Sequence, residues 1–283
     1  MEKGKYNILN FKLYYIIQGN NMYGAIIGDI AGSIFEYSQI KKVSNIECKE
    51  IIPENGFYSD DTILTVAIAD AIMHSKDYDK YLRMYGNRYL NYKPNFSPYF
   101  KTSFSPGFIK WINNSTDGTS IGNGAMMRIS PIGEAFKTKN EVLKNVTAAT
   151  QPSHNSKEAI YCAGIIALIG FYAKQGLSKT QILRTLNLQI KEPKIEKFNS
   201  TCHETLNVCL FSAFTSNSFE ESIKKVISYG GDTDTNACIV GGMAEQLYGL
   251  DSTLKKEVRD KIPEEFIKII DSFERFIDNE HER

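Results

Sequence analysis

Apolar residues in this chain recur at intervals of three and four far more often than at alternate positions. One stripe runs through Ile63, Val66, Ala67, Ala69, Ala71 and Ile72, a second through Ile160, Ile165, Leu168, Ile169 and Tyr172, and a third through Phe266, Ile269, Ile270 and Phe273. That spacing returns side chains to one face of a helix, whereas a half-buried strand would alternate. Turn signals at Pro53-Glu54-Asn55-Gly56, Pro94-Asn95, Ser105-Pro106-Gly107 and Glu192-Pro193 cut the pattern into short segments. The pattern predicts an all-α, compact, single-domain multi-helix globule of roughly a dozen helices, with long loops near 40–58 and 91–122.

Two segments carry small residues at helical spacing. Glycines at 24, 28 and 32 fall on one face of the stretch from Tyr23 to Glu36, and Ala237, Gly241, Gly242 and Ala244 lie in the helical stretch 236–247. Both imply close approach to another helix. Asp29 and Glu36, seven residues apart, share one side of the first stretch. Either could face a polar site, although a lone acidic residue on a helix is expected to meet solvent.

Composition narrows the function classes. The 283 residues are 42% hydrophobic, and 33 basic residues balance 33 acidic ones. That balance is ordinary for a globular protein and supplies no net field toward nucleic acid or an anionic membrane. Five separated cysteines, Cys48, Cys162, Cys202, Cys209 and Cys238, form no CxxC pair. They argue against a disulfide framework or a zinc site and for a reducing, cytoplasmic setting. Lys12 interrupts the apolar stretch from Phe11 to Ile17, so no signal or membrane anchor is expected. Met22 directly precedes the first well-patterned segment, so residues 1–21 are expected to be an extension and 22–283 the functional domain.

The chemistry concentrates in two acidic, hydroxyl-bearing clusters about 170 residues apart, Ser59-Asp60-Asp61-Thr62 and Asp232-Thr233-Asp234-Thr235. Four carboxylates with neighbouring alcohols offer the hard oxygen shell that Mg²⁺ or Mn²⁺ prefers. Each cluster opens a helical stretch, so simple capping competes with metal binding. A cap needs one acceptor, however, and adjacent aspartates repel unless a cation shares them. An EF-hand is excluded, because Ala237 stands where its glycine belongs and Met243 where its glutamate belongs. The run also resembles the DxDxT signature of aspartyl-phosphate phosphatases, but that motif follows an apolar parallel strand, and here it follows Ser228-Tyr229-Gly230-Gly231 in a helical chain.

Ser120-Ile121-Gly122-Asn123-Gly124-Ala125 is a glycine-rich turn before a helical stretch, a place where backbone amides can meet a phosphate or ribose. The segment from Asn91 to Gly122, rich in Tyr, Phe and Ser, is a candidate substrate rim. His154 precedes another long helical pattern, while His74, His203 and His281 stand alone, so the sequence shows no histidine metal cluster.

Taken in order, Gly28-Asp29 through Glu36, Ser59-Asp60-Asp61-Thr62, Gly122-Asn123-Gly124-Ala125 with Met127-Arg128, Ser153-His154 and Gly230-Gly231-Asp232-Thr233-Asp234-Thr235 resemble the ADP-ribosylglycohydrolase family, which includes the dinitrogenase reductase-activating glycohydrolases. The resemblance spans residues 22 to about 250. It implies an all-α fold with two Mg²⁺ or Mn²⁺ ions. Carried over by position, it implies that Ser59, Asp60, Asp61, Asp232, Asp234 and Thr235 ligate the metals, with Asp234 bridging, and that Glu36 reaches a metal and the reacting ribose. Glu36, Asp60 and Asp61 are then the candidates for catalytic proton handling. Gly118, Thr119, Ser120, Ile121, Gly122, Asn123 and Gly124, with His154, would hold the ADP-ribose.

Two positions depart from the family pattern. Ser59 replaces the more usual Thr and keeps the hydroxyl, and Ser156-Lys157 stands where many bacterial members have His-Pro. The implied partner is an ADP-ribosylated protein, arginine-linked in the first instance, or an ADP-ribose-containing small molecule. An ADP-ribosylated base stays open, and a monomer is expected. The rival reading from another class is a noncatalytic binding or structural protein on the same scaffold, as lens crystallins of the family are.

Overall fold

The computed structural model of the chain describes residues 22–39, 46–93, 102–114 and 118–282. Among the described residues helices follow one another: α1 (Tyr23–Gln39), α2 (Asp60–His74), α3 (Tyr78–Arg88), α4 (Pro106–Ile112), α5 (Gly124–Met127) and α6 (Ser130–Ala135). The second half continues with α7 (Lys139–Thr150), α8 (Lys157–Lys174), α9 (Lys179–Thr185), α10 (Cys202–Phe214), α11 (Phe219–Ser228), α12 (Thr233–Tyr248), α13 (Ser252–Arg259) and α14 (Glu264–Glu282). Among the described residues, pairing of the strand type is confined to two isolated bridges, Thr119 with His154 and Gly122 with Thr201. The all-α expectation holds, and the parallel strand that a DxDxT nucleophile requires is missing among those residues. Residues 1–21 lie outside them.

The small-residue stripes set the centre of the fold. α1 packs lengthwise on α12. A Cβ added to Gly28 would lie 1.9 Å from the Ala237 carbonyl oxygen, and one added to Gly241 would lie 2.0 Å from that of Gly24. Only hydrogen at those positions lets the two backbones meet. The result brings Asp29 and Glu36 beside the N-terminus of α12, where the second acidic cluster begins.

Around this pair, α2 and α8 are apolar on nearly every side and accordingly buried, with residues such as Ile63, Val66, Ile68 and Ile169 excluded from solvent. The amphipathic α14 packs on α2 and buries Phe266, Ile270, Phe273 and Ile277. Arg259 at the end of α13 clasps Asp271 of α14 with two bonds, 2.6 and 3.0 Å, and also donates to the Tyr23 hydroxyl at 2.5 Å. No helix among the described residues is long and apolar enough to cross a membrane.

The stretch 91–122, expected as one long loop, contains α4. Ser105 and Pro106 carry turn-type composition, but they serve here as N-cap and first helical residue, with the Ser105 hydroxyl accepting from the Phe108 amide. Stacking of Phe104 on Phe108, with Arg83 of α3 4.1 Å from the Trp111 ring, pins the helix down.

Candidate active site

Asp29 is the organising residue of the first cluster. It is fully buried, against the solvent exposure expected for a lone acidic residue. Its Oδ1 accepts from the Ser59 hydroxyl at 2.8 Å, and Oδ2 accepts from the Ser59 amide at 2.8 Å, the Thr62 amide at 3.0 Å and the Thr62 hydroxyl at 2.6 Å. These bonds tie the start of α2 to α1. Burial lifts the Asp29 carboxyl to about 6, against the pull of those donors. Ser59 is the N-cap of α2, its hydroxyl accepting from the Asp61 amide, so the capping and metal readings coexist in one residue.

The second cluster is aimed by a turn that only glycine tolerates. Gly230 and Gly231 both have positive φ, 74° and 77°, and a Cβ on Gly231 would lie 2.0 Å from Asn199 Oδ1. Asn199 Oδ1 accepts from the Asp232 amide at 3.0 Å, while its Nδ2 donates to the Thr205 hydroxyl at 2.9 Å and to Asn236 Oδ1 at 2.8 Å. The Thr233 hydroxyl donates to the Gly32 carbonyl at 2.8 Å. Asp232 occupies the N-cap position of α12, yet its side chain caps nothing. Instead Oδ2 accepts from Asn123 Nδ2 at 2.7 Å, so the carboxylate faces the cavity.

Together these elements make two carboxylate groups, Asp29–Asp61–Asp234 and Glu36–Asp232–Asp234, each with ligand oxygens within 4.8 Å of one another. Asp234 belongs to both. Burial first, and then like charge, pushes Glu36, Asp61 and Asp234 well above the usual carboxylate range. Asp232 is pushed to about 7 and Asp60 to about 8. Asp60 lines the same cavity but sits outside both groups, on the side where the charge of Arg128 reaches it.

Residues present in this arrangement suit divalent ions. Asp61 Oδ1 is buried with no hydrogen-bond partner, while Oδ2 takes the Thr235 hydroxyl at 3.3 Å and lies 3.1 Å from the Ser59 hydroxyl, whose one hydrogen has its shorter contact with Asp29. None of these six acidic side chains enters a salt bridge among the described residues. Unbalanced buried carboxylates with hydroxyls between them constitute an oxygen-only donor set of the kind Mg²⁺ and Mn²⁺ take.

All of these carboxylates except Asp29 form part of the wall of a cavity of about 370 Å³, also lined by Ser120, Gly122, Asn123, Gly124, Arg128, Ser153 and His154 and by the aromatic rings of Phe57, Phe104, Phe108, Trp111 and Phe198. The Thr102–Phe108 part of the expected substrate rim therefore does reach the cavity. Of the seven-residue loop assigned to ADP-ribose, Ser120, Gly122, Asn123 and Gly124 face it. Gly118 and Thr119 brace the loop instead: the Gly118 amide donates to Pro152 at 2.7 Å, its carbonyl accepts from Asn155 at 3.1 Å, and Thr119 bridges to His154. Ile121 is 55% exposed, and its carbonyl accepts from the Cys202 amide at 3.0 Å.

Sequence reasoning missed Asn199, Thr205 and Asn236 beneath the Gly230-Gly231 turn, and the aromatic Phe57 and Phe198. Isolated Asn, Thr and Phe residues carry no local signal, because their roles arise from long-range contacts.

An all-helical fold that gathers acidic residues from two helix N-termini around a glycine-braced cavity defines a narrow class. The chain belongs to the ADP-ribosylglycohydrolase family, whose model matches residues 20–282. It is similar to the ADP-ribosylarginine hydrolase Tri1 of Pseudomonas putida, 27% identical over half of this chain and 42% of that protein. It is also similar to the ADP-ribosylhydrolase ARH3 of Mus musculus, 22% identical over 89% of this chain and 86% of that protein. A solved structure titled ADP-ribosylglycohydrolase-related protein complex superimposes with a TM-score of 0.65, covering 91% of this chain and 94% of its own at 19% identity, and so shares the fold.

Proposed function

We propose that this protein hydrolyses the bond between the anomeric carbon of ADP-ribose and an acceptor, in the first instance an arginine side chain, with release of ADP-ribose. The observation that carries the reading is the pair of carboxylate groups sharing Asp234 at the cavity wall. The family match supports the reaction class, and the name of the Pseudomonas relative supports arginine as the first acceptor to try.

Asp61, Asp232 and Asp234, with Ser59, Thr235 and Glu36, would hold two Mg²⁺ or Mn²⁺ ions, with Asp60 at the rim of the set. Bound there, the ions would orient the ribose hydroxyls and lend positive charge to a nearby water. Glu36 is the acidic residue of the Asp232–Asp234 group that is only half-buried, which makes its carboxylate the one to take the proton from the attacking water. The carbon–nitrogen bond breaks through an oxocarbenium-like state, its electron pair leaving on the guanidine nitrogen as water adds to the anomeric carbon, and the proton that Glu36 takes from the water is returned to the departing guanidine. Asn123 holds Asp232 in register, and the turn from Ser120 to Gly124 supplies polar backbone to the rest of the substrate. Location in the cytoplasm and a monomeric state complete the proposal.

Release of free ADP-ribose from matched arginine-linked and serine-linked substrates, each with Mg²⁺, Mn²⁺ or EDTA, tests it. Metal-dependent release from the arginine-linked substrate is expected, and release from neither would overturn the assigned acceptor class. Hydrolysis of a phosphomonoester through a phosphoaspartate at Asp232 would instead favour the phosphatase reading.

A further inference from the structure

In the cavity wall lies a buried relay, Arg128–Ser153–His154, to which the proposed chemistry gives no step. Arg128 follows α5 and is fully excluded from solvent. Its Nη2 donates to the Ala149 carbonyl at 3.2 Å and to the Ser153 hydroxyl at 2.6 Å, while Nε and Nη1 are buried without partners. A cation so poorly satisfied is expensive to bury, and its strongest contact, the Ser153 hydroxyl, is the one that leads to the cavity. The Ser153 oxygen lies 2.8 Å from His154 Nδ1. The backbone on which the pair sits is fixed: the amides of Ser153 and His154 bond to Thr150, and the Ser153 carbonyl accepts from Ser120.

Hydrogen counting decides the protonation pattern. A guanidinium only donates, so the Ser153 oxygen accepts from Arg128 and keeps its one hydrogen for another partner. Among the described residues, His154 Nδ1 is the acceptor within reach. Nδ1 therefore accepts and the ring proton resides on Nε2. That nitrogen takes no hydrogen bond among the described residues and sits beside the glycine turn: a Cβ built on Gly122 or on Gly124 would lie 3.7 Å from it. Both glycines and His154 line the cavity.

We infer that Arg128 and Ser153 are positioning residues that hold His154 as a neutral imidazole with its Nε2–H aimed into the substrate cavity, as a fixed donor to an anionic oxygen of the ligand. Burial and the Arg128 charge both act against a second proton on the ring, which lies well below the ordinary histidine range. The other groups that respond to this charge, Asp60 and the Cys202 thiol, act on Arg128 rather than on the imidazole. Identifying the ligand oxygen as one of the diphosphate of ADP-ribose rests on the function proposed above; the tautomer does not.

The test is a set of long-range ¹H–¹⁵N spectra of the full chain labelled with ¹⁵N-histidine, which contains four histidines and is assigned through a His154→Gln sample. The expected wild-type spectrum shows His154 with hydrogen on Nε2 and no titration between about pH 5.5 and 8, where an ordinary imidazole changes charge. Arg128→Met, which removes the charge but leaves the burial, should make the ring easier to protonate than in the wild type, and Arg128→Lys should make it harder again. Ser153→Ala should weaken binding of free ADP-ribose about tenfold, the loss of one well-oriented hydrogen bond, and scramble the tautomer, whereas Ser153→Thr should restore both. Wild-type His154 with hydrogen on Nδ1, or titrating near the ordinary value, overturns the inference even where a variant does not fold. Failure of ADP-ribose to bind the wild type, with the Nε2–H tautomer in place, would instead count against the proposed substrate.

Discussion

Asp29 and Asp232 show how one residue type is given two tasks by its surroundings. Asp29 has its carboxylate filled by four donors from Ser59 and Thr62, so it fastens α2 to α1. Asp232 stands at a helix N-terminus and leaves the helix uncapped, with its carboxylate turned to the cavity by Asn123 and its backbone held by Asn199. Asn199→Ala should therefore cost about 2 kcal/mol in urea unfolding, because the Asp232 amide loses its partner and the buried Thr205 and Asn236 groups each lose one of theirs, and turnover should fall with it. Unchanged stability would mean that the Gly230-Gly231 turn holds without this anchor. Ser-Asp-Asp-Thr and Asp-Thr-Asp-Thr were legible in sequence because each packs several oxygens into four residues. Asn199 was not, since its meaning depends on residues more than thirty positions away.

Among elements, the α1–α12 pair decides the rest. Glycines 24, 28 and 32 with Gly241 and Ala237 announced a close helix crossing through their period alone, and the backbone separation bears this out. Gly28→Val would drive a side chain into the Ala237 carbonyl and should cost about 3 kcal/mol or more, read as a loss of thermal stability. Gly164→Ala is the matched control, since its new Cβ would meet only the Leu143 side chain at 3.5 Å, and it should be neutral or stabilise by up to about 1 kcal/mol. Equal losses in the two would refute the packing argument. α4 escaped the sequence pattern because its seven residues are too few to establish a helical period, and Ser-Pro-Gly is common to turns and helix starts.

At the scale of the molecule, the charge balance that looked bland in composition conceals a local excess of buried acid. Asp29, Asp232 and Asp60 have carboxyls lifted to about 6, 7 and 8, above the unfolded value of about 3.9. The folded state thus binds more protons than the unfolded one, so stability falls as pH rises through this window, being greatest below about pH 4 from these groups alone. The metal-free protein should lose thermal stability between about pH 4 and 8, from the unfolded value to the highest of the raised ones, and Mn²⁺ should restore more of it at the alkaline end, where ions and protons no longer compete. A restoration that is larger at the acidic end would contradict the carboxylate assignment. The most direct test of the central claim is a Mn²⁺ titration of the wild type and of Asp234→Ala, followed by electron paramagnetic resonance, with ADP-ribose release measured on the same samples. Two bound ions and metal-dependent release are expected in the wild type, and loss of both in the variant. Turnover in EDTA, or Asp234→Ala that binds Mn²⁺ and turns over like the wild type, would contradict it.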